Sequence, residues 1–466
     1  MSPKKPVQAD PTAGWLTGFT PQAGPRYLQI ADALEQAMRD GRLSPGDRLP
    51  PQRHLATQLK VDLTTVTRAY EEAKRRQLIV GRKTQGTYVA AHGLMQAPLF
   101  DLGMNIPPPP EGVDLDRLFK QGLAEVLARA DRTLLTTYHL GGGRLEDRTA
   151  GAQWMEPMLG KVDPAHVVVA PGSQTALAGL LLAATQPGSV ILTEPIIYPG
   201  LPAVAAQFGR RVVPVAADEH GMLPEGIRRA CRAETVHMIY LNPTLQNPNA
   251  VTMPEWRRKE VAALAREYRL CVIEDDPSWL VADAAPPPIA YFAPQHVHYI
   301  STLSKCLTPG LRVAFVTMSD PETRARFIAA LRSFALMAAP LTTALATHWI
   351  RDGSAVSLLK GVREETRARH CLAREALAGL YEGAGTGLHL WLRLPAHWSA
   401  SRLTRTAAKE GLVVTPAAVF STAVDTPNAL RISLGCIHDR EQLMTGLQRL
   451  AQLVKHQPNA FDEAVI

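Results

Sequence analysis

Between Ser301 and Arg312 the chain places an amine at Lys305, hydroxyls at Thr302 and Ser304, and a guanidinium at Arg312. A lysine amine can form an imine with an aldehyde, and hydroxyls with a guanidinium can hold a phosphate. Burying an unpaired ammonium is costly, so a lysine in a core-like stretch calls for a chemical reason. Other groups could serve the same chemistry. Asp275, directly after the run Leu270–Glu274, offers a carboxylate; Asn247, in Gln246-Asn247-Pro248, a donor; and Tyr198, in Glu194-Pro195-Ile196-Ile197-Tyr198, a flat aromatic face. Pro171-Gly172-Ser173-Gln174 reads as a glycine turn opening a helix, whose free amides and Ser173 hydroxyl suit a phosphate. An imine-forming lysine, a carboxylate facing a pyridine nitrogen, a donor beside a phenolic oxygen and a phosphate cradle are together the needs of pyridoxal phosphate. Each residue also has a plain structural reading, such as core packing for Tyr198. The set carries the inference, not any one member.

Positioning these groups requires a particular scaffold. Helical stretches alternate with short β-branched runs at Val167–Val169, Val190–Thr193, Arg211–Val215, Val236–Leu241, Leu270–Glu274, Val297–Ser301 and Val313–Thr317. This alternation predicts a mostly parallel α/β sheet, and the candidates fall at the carboxyl ends of its strands, where such folds bind ligands. Ahead of it, Asn105-Ile106-Pro107-Pro108-Pro109-Pro110-Glu111-Gly112 predicts a linker with no regular structure. The expected organisation is a flexible arm over residues 1–23, a small domain over 24–92, a linker over 93–113 and a large domain over 114–466.

The small domain has its own pattern. Leu28, Ile30, Ala31, Leu34, Ala37 and Met38 recur with helical spacing, a second helix is expected over Gln52 to Gln58, and a third begins after Val61-Asp62-Leu63. On the third helix Val66, Ala69, Tyr70 and Ala73 face inward, Thr64, Thr65 and Arg68 face outward, and Asp62 is the expected cap. Leu78–Val80 and Thr87–Val89 can pair around a tip carrying Arg82 and Lys83. A recognition helix followed by a basic hairpin suits double-stranded DNA: Arg82 and Lys83 toward phosphates, Thr64, Thr65 and Arg68 toward base edges. A helical protein-interaction module is the competing interpretation.

Composition agrees with this division. The 466 residues are 46% hydrophobic, enough for one large core and a separate small domain. Gly24 to His92 holds twelve Lys or Arg and seven Asp or Glu, a surplus of five within a formal net charge of +7 for the whole chain. The five cysteines, Cys231, Cys271, Cys306, Cys371 and Cys436, lack metal-ligand spacing, so no metal and a reducing, cytoplasmic setting are expected. Met1 to Trp15 has no apolar run of signal length and no stretch has the length of a membrane span, which argues against export and a membrane partner.

The segment from Tyr27 to Val89 resembles the GntR-type winged helix-turn-helix, in which the arginine of the LPxxRxLA motif, here Arg53, contacts DNA together with the start of the third helix. From about Leu102 to Leu450 the chain resembles fold-type I aminotransferases, and as a whole it resembles the MocR subfamily, which joins the two. That resemblance implies Lys305 as the Schiff-base lysine, Asp275 opposite the pyridine nitrogen, Asn247 near the ring oxygen and Tyr198 stacked on the ring. It implies Ser173, Gln174, Thr302, Ser304 and Arg312 as the phosphate cradle, Tyr138 as a tyrosine given by the neighbouring subunit, and Arg431 as the partner of an effector carboxylate. It further implies a domain-swapped homodimer. The chain departs from the pattern where EDDxY is usual: it reads Glu274-Asp275-Asp276-Pro277-Ser278, so Ser278 stands in the tyrosine's place. The expected function is a transcriptional regulator that senses pyridoxal phosphate or an amino compound, controlling vitamin B6 or amino-acid metabolism. The alternative is an aminotransferase with a fused DNA-binding domain.

Overall fold

The computed structural model describes Trp15 and residues 24–40, 42–44, 46–76, 78–82, 86–90, 100–129, 133–381 and 385–457. The chain divides into two compact units, Met1–Ala97 and Pro98–Ile466.

The first unit contains helices α1 (Arg26–Arg39), α2 (Gln52–Leu59) and α3 (Leu63–Arg75), then the antiparallel strands β1 (Ile79–Arg82) and β2 (Gly86–Val89). Val66, Ala69, Tyr70 and Ala73 recur at three- and four-residue steps on α3, which places them on one face. That face is buried in a common core with Ile30, Leu34 and Ala37 of α1 and with Trp15. Thr67 Oγ1 donates to Gln52 Oε1 at 2.9 Å and Tyr70 Oη to the Pro50 carbonyl at 2.8 Å, so the angle between α2 and α3 is held by specific bonds. Arg76 ties the end of α3 to Asp32 of α1 at 2.6 Å. Asp62 stands at the N-cap of α3, yet its side chain makes no capping bond. Arg48 pairs with Tyr88, adding a third extended piece beside the hairpin.

The second unit is built on a seven-stranded sheet. In chain order its elements are β3 (Val167–Ala170), α4 (Ser173–Ala184), β4 (Val190–Thr193), β5 (Arg211–Pro214), β6 (Val236–Leu241), β7 (Cys271–Asp275), β8 (Val297–Thr302) and β9 (Ala314–Thr317). The spatial order is β3-β9-β8-β7-β6-β4-β5. β9 runs antiparallel to both neighbours, and the other pairings are parallel. Val168, Ile191, Ile273 and Ile300 pack toward α4 on one face, while Val169, Leu192, Val272 and Tyr299 pack into the opposite core. Both faces are covered, which is why the strands read as continuous apolar runs.

The 23-residue helix Ser354–Ala376 leads to a three-stranded antiparallel sheet of β10 (His389–Arg393), β11 (Thr415–Pro416) and β12 (Ala429–Ser433) in the order β10-β12-β11. Phe100–Asp101, expected in the linker, instead pairs in parallel with Leu412–Val413, and Leu102 is fully buried. The physical reason is the apolar pair Phe100 and Leu102, which joins the core of this C-terminal subdomain. The expected linker therefore gives up its second half to the large unit; its first part, 93–99, lies outside the described residues, as do Lys83 and the arm 1–23 apart from Trp15. Among the described residues no helix is long and apolar enough to cross a membrane.

Candidate functional site

A cavity of about 310 Å³ lies at the carboxyl edge of the large sheet. It gathers Ser173 and Gln174 after β3, Tyr198 after β4, Asn247 after β6, Asp275 at the end of β7, and Ser278, Ser304, Lys305, Arg312 and Arg431. Arg312 reaches the same edge because β9 is antiparallel: Ala314 at its start is in register with Thr302 and Ala170, the last residues of β8 and β3. Thr302, expected in the phosphate cradle, does not line the cavity. Its hydroxyl is directed to Ser304, whose amide donates to Thr302 Oγ1 at 3.3 Å, so it braces the residue that does line it. Tyr138 lies outside the cavity and is 67% exposed.

Alternation along β7 separates two kinds of carboxylate. Asp275 points to the cavity; Glu274 and Asp276 point into the opposite core, where fully buried Arg258 lies 3.7 Å and 3.9 Å from them. Glu274 also accepts the backbone amides of Ile289 and Ala290, and Thr244 Oγ1 donates to Asp276 at 2.9 Å. Asp275 itself is held by Tyr240, whose hydroxyl donates to Oδ2 at 2.9 Å, and by Asn242, whose amide donates to its carbonyl at 2.6 Å. Its Oδ1 is buried without a partner.

Burial dominates the electrostatics. It pushes the Asp275 carboxyl up to about 6, against the opposing pull of the Tyr240 hydrogen bond and of Lys305. It pushes Lys305 down to about 8, helped by Arg431 and Arg312 and opposed by Asp275. A lysine in that range has an appreciable neutral fraction near pH 7, the form able to attack a carbonyl. Its Nζ donates to the Asn105 carbonyl at 2.5 Å.

The start of α4 forms a cradle. Its N-cap, Gly172, has φ 87° and gives no side-chain bond to the first amides. A Cβ on Gly172 would lie 2.5 Å from Arg312 Nη2, so glycine is what lets the guanidinium approach this helix end. Gly200 is similarly constrained, since a Cβ there would sit 2.3 Å from Gln174 Oε1 and Tyr198 Cε1. Uncapped amides, Ser173, Ser304 and Arg312 suit a dianionic phosphate, while the unpaired Asp275 Oδ1 suits a protonated ring nitrogen. The residues fit pyridoxal phosphate.

Arg431 is half engaged: it donates to Asn247 Oδ1 at 2.8 Å and to the Gly103 carbonyl at 2.5 Å, and stacks 4.8 Å from the Phe420 ring centroid. Its Nε is buried and unpaired.

Sequence reasoning missed Asn105, His389, Asn242, Tyr240 and Phe420. Asn242 and Tyr240 lie at the carboxyl end of β6 and could have been found by the strand-end rule. Asn105, His389 and Phe420 come from distant segments and carried no local signal.

In the first unit Thr64 and Arg53 are exposed and Thr65 is half-buried. Arg68 is exposed and stacks 4.3 Å from the Tyr27 ring centroid. The backbone of Arg82 forms the end of β1.

The family model for bacterial regulatory proteins of the gntR family matches residues 26–89. YdeF of Bacillus subtilis, an HTH-type transcriptional regulator, is 30% identical over 94% of this chain and 96% of its own length. This chain is a GntR-family regulator of the MocR type. A vitamin B6 salvage pathway transcriptional repressor of Salmonella typhimurium, PtsJ, is 29% identical over 89% of this chain and 95% of its own length. The MocR-type architecture also shows in the second unit: the α-aminoadipate aminotransferase LysN of Thermus thermophilus superposes with a TM-score of 0.70 at 26% identity, covering 78% of this chain and 93% of that one. The regulator thus joins a DNA-binding winged helix to a fold-type I aminotransferase-like unit.

Proposed function

We propose that this protein is a DNA-binding regulator that holds pyridoxal phosphate at Lys305 and changes its DNA binding in response to the cofactor or to an amino compound that competes for it. The observation that carries this reading is the convergence of Lys305, the unpaired Asp275 Oδ1 and the Gly172–Arg312 cradle on one cavity, in a chain that also carries a GntR-type DNA-binding unit. The bound cofactor would supply an electrophilic aldehyde and an electron-withdrawing ring.

The chain's own residues have separable tasks. Lys305, lowered by burial to about 8, provides the nucleophilic amine through its neutral fraction. Asp275 Oδ1 would accept a hydrogen bond from the protonated ring nitrogen, and Tyr240 fixes that carboxylate's rotation through Oδ2. Tyr198 would stack on the ring and Asn247 would donate near the ring oxygen, while Ser173, Gln174, Ser304 and Arg312 would hold the phosphate with Thr302 behind Ser304. Ser278, too short to reach as a tyrosine would, would leave the ring oxygen with one donor fewer. Arg431, whose terminal nitrogens already bond Asn247 and Gly103, would pair with an effector carboxylate.

A second copy is part of this proposal. Tyr138 is exposed, as are Leu127, Leu135, Leu145, Phe334 and Leu336 of the second unit. Large exposed apolar residues of this kind favour coverage, and a domain-swapped homodimer would bring Tyr138 of the partner subunit to the cofactor. On DNA, Thr64, Thr65 and Arg68 would read bases, Arg82 and Lys83 would contact phosphates, and Arg53 would contact the duplex together with the start of the third helix. A DNA partner favours a cytoplasmic setting. PtsJ is a vitamin B6 salvage repressor, which favours vitamin B6 or amino-acid metabolism as the target.

The 2-aminoadipate transaminase of Thermus thermophilus, 29% identical over 74% of this chain, supports the aminotransferase alternative. Turnover of paired amino and 2-oxo acids separates the two. The regulator reading expects cofactor-dependent DNA binding with turnover far below about one per second; sustained turnover near that rate, with DNA binding indifferent to the cofactor, would replace it.

A further inference from the structure

Asn105 combines burial, an unpaired acceptor and a place in the cavity. Its side-chain orientation follows from a chain of hydrogen bonds. His389 Nε2 lies 3.1 Å from the Gln246 carbonyl, and its Nδ1 lies 3.3 Å from Asn105 Nδ2. A carbonyl can only accept, so Nε2 carries the ring proton. Burial, with Arg431 and Lys305 nearby, keeps the imidazole neutral at physiological pH. Nδ1 therefore presents a lone pair, and only the amide nitrogen of Asn105 can bond to it. The amide is fixed, with Oδ1 on the side away from His389.

That oxygen has no partner, although Asn105 is only 8% exposed. Asn105 lines the cavity beside Lys305 and Arg431, and its own carbonyl holds Lys305 Nζ. An amine exchanging for Lys305 thus arrives next to Asn105. A buried acceptor without a donor is costly, and a site that supplies the acceptor rejects analogues lacking the donor.

We propose that Asn105 Oδ1 is the specificity determinant of this site, accepting a hydrogen bond from a hydroxyl or amide on the effector's side chain, with His389 as its positioning residue. The effector class is an amino acid with a side-chain donor, recognised over its aliphatic isostere. The proposal rests on the reading that amino compounds bind at Lys305.

The test uses full-length, pyridoxal phosphate-loaded protein, titrated with threonine against valine and with asparagine against leucine, read by the visible absorption of the cofactor. We expect the donor-bearing member of at least one pair to bind about tenfold more tightly to the wild type, the scale of one well-made hydrogen bond. Asn105→Leu should bring that ratio to about one, and so should His389→Leu, which releases the amide; a role confined to folding would not equalise two ligands. A wild-type ratio near one overturns the proposal even if a variant fails to fold. If the band responds to amines but neither pair is discriminated, the specificity proposal is overturned and the regulator reading stands. If no amine changes the band, the specificity proposal falls together with the amino-compound effector, and the cofactor itself is left as the signal.

Discussion

Replacing Asp275 by Asn should move stability and cofactor affinity in opposite directions. Asp275 is buried, its Oδ2 is bonded to Tyr240, and its Oδ1 has no partner, so without cofactor the carboxylate is held at a cost. Its pKa rises from 3.8 to about 6, which at about 1.4 kcal/mol per pH unit is about 3 kcal/mol of lost stability for the cofactor-free protein at neutral pH. The sign follows from proton binding. A raised carboxyl pKa makes the folded state bind a proton more tightly, so stability is present below about pH 4, falls as pH rises toward 6 and stays low above it. Asn carries no such charge and can still accept from Tyr240. Cofactor-free Asp275→Asn should therefore resist urea better than the wild type at pH 7.5, by up to about 3 kcal/mol, with the two converging near pH 4. Pyridoxal phosphate should bind the variant about 10- to 100-fold more weakly, because a charge-assisted bond to the ring nitrogen is lost. A variant less stable than the wild type at pH 7.5 without cofactor, or one binding the cofactor equally well, would refute this account of Asp275.

Other outcomes follow from the same geometry. Arg258→Met leaves Glu274 and Asp276 without their shared cation and should cost about 3–5 kcal/mol in urea denaturation, whereas a cost under about 1 kcal/mol would show the buried cluster to be replaceable. Ser278→Tyr restores a hydroxyl near the ring oxygen and should shift the pH titration of the visible cofactor band; an unaltered titration would remove this position from any role in tuning Lys305. Lys83→Ala should lower the salt dependence of DNA binding by roughly one counterion without changing sequence preference, and Thr64→Ala should relax preference at one base position. Reversal of those two effects would exchange the roles assigned to wing and helix.

The legible parts of this protein were those governed by local periodicity. The seven strands of the large sheet, the three helices of the first unit and the inward face of α3 follow from apolar spacing over a few residues. Strand-end logic also located Ser173, Asp275 and Lys305, because each lies within a few residues of a recognisable strand. The segment 100–106 reads as linker because four prolines, Pro107 to Pro110, follow it directly, while the burial of Phe100 and Leu102 depends on β12 and Leu412–Val413, more than 300 residues away. Asn105 and His389 were invisible for the same reason: their bond spans 284 positions. The role of Thr302 was misplaced by one layer, since the alternation of β8 does not reveal that its hydroxyl turns back to Ser304.

The central claim is that the state of Lys305 is coupled to DNA binding. The most direct measurement is binding to an operator fragment at fixed salt by wild type and Lys305→Ala, titrated with pyridoxal phosphate and then with amines while the visible band is recorded on the same samples. The account predicts that DNA affinity or footprint follows the band in the wild type and is unresponsive in Lys305→Ala. DNA binding that stays constant while the band shows Lys305 becoming occupied would contradict it.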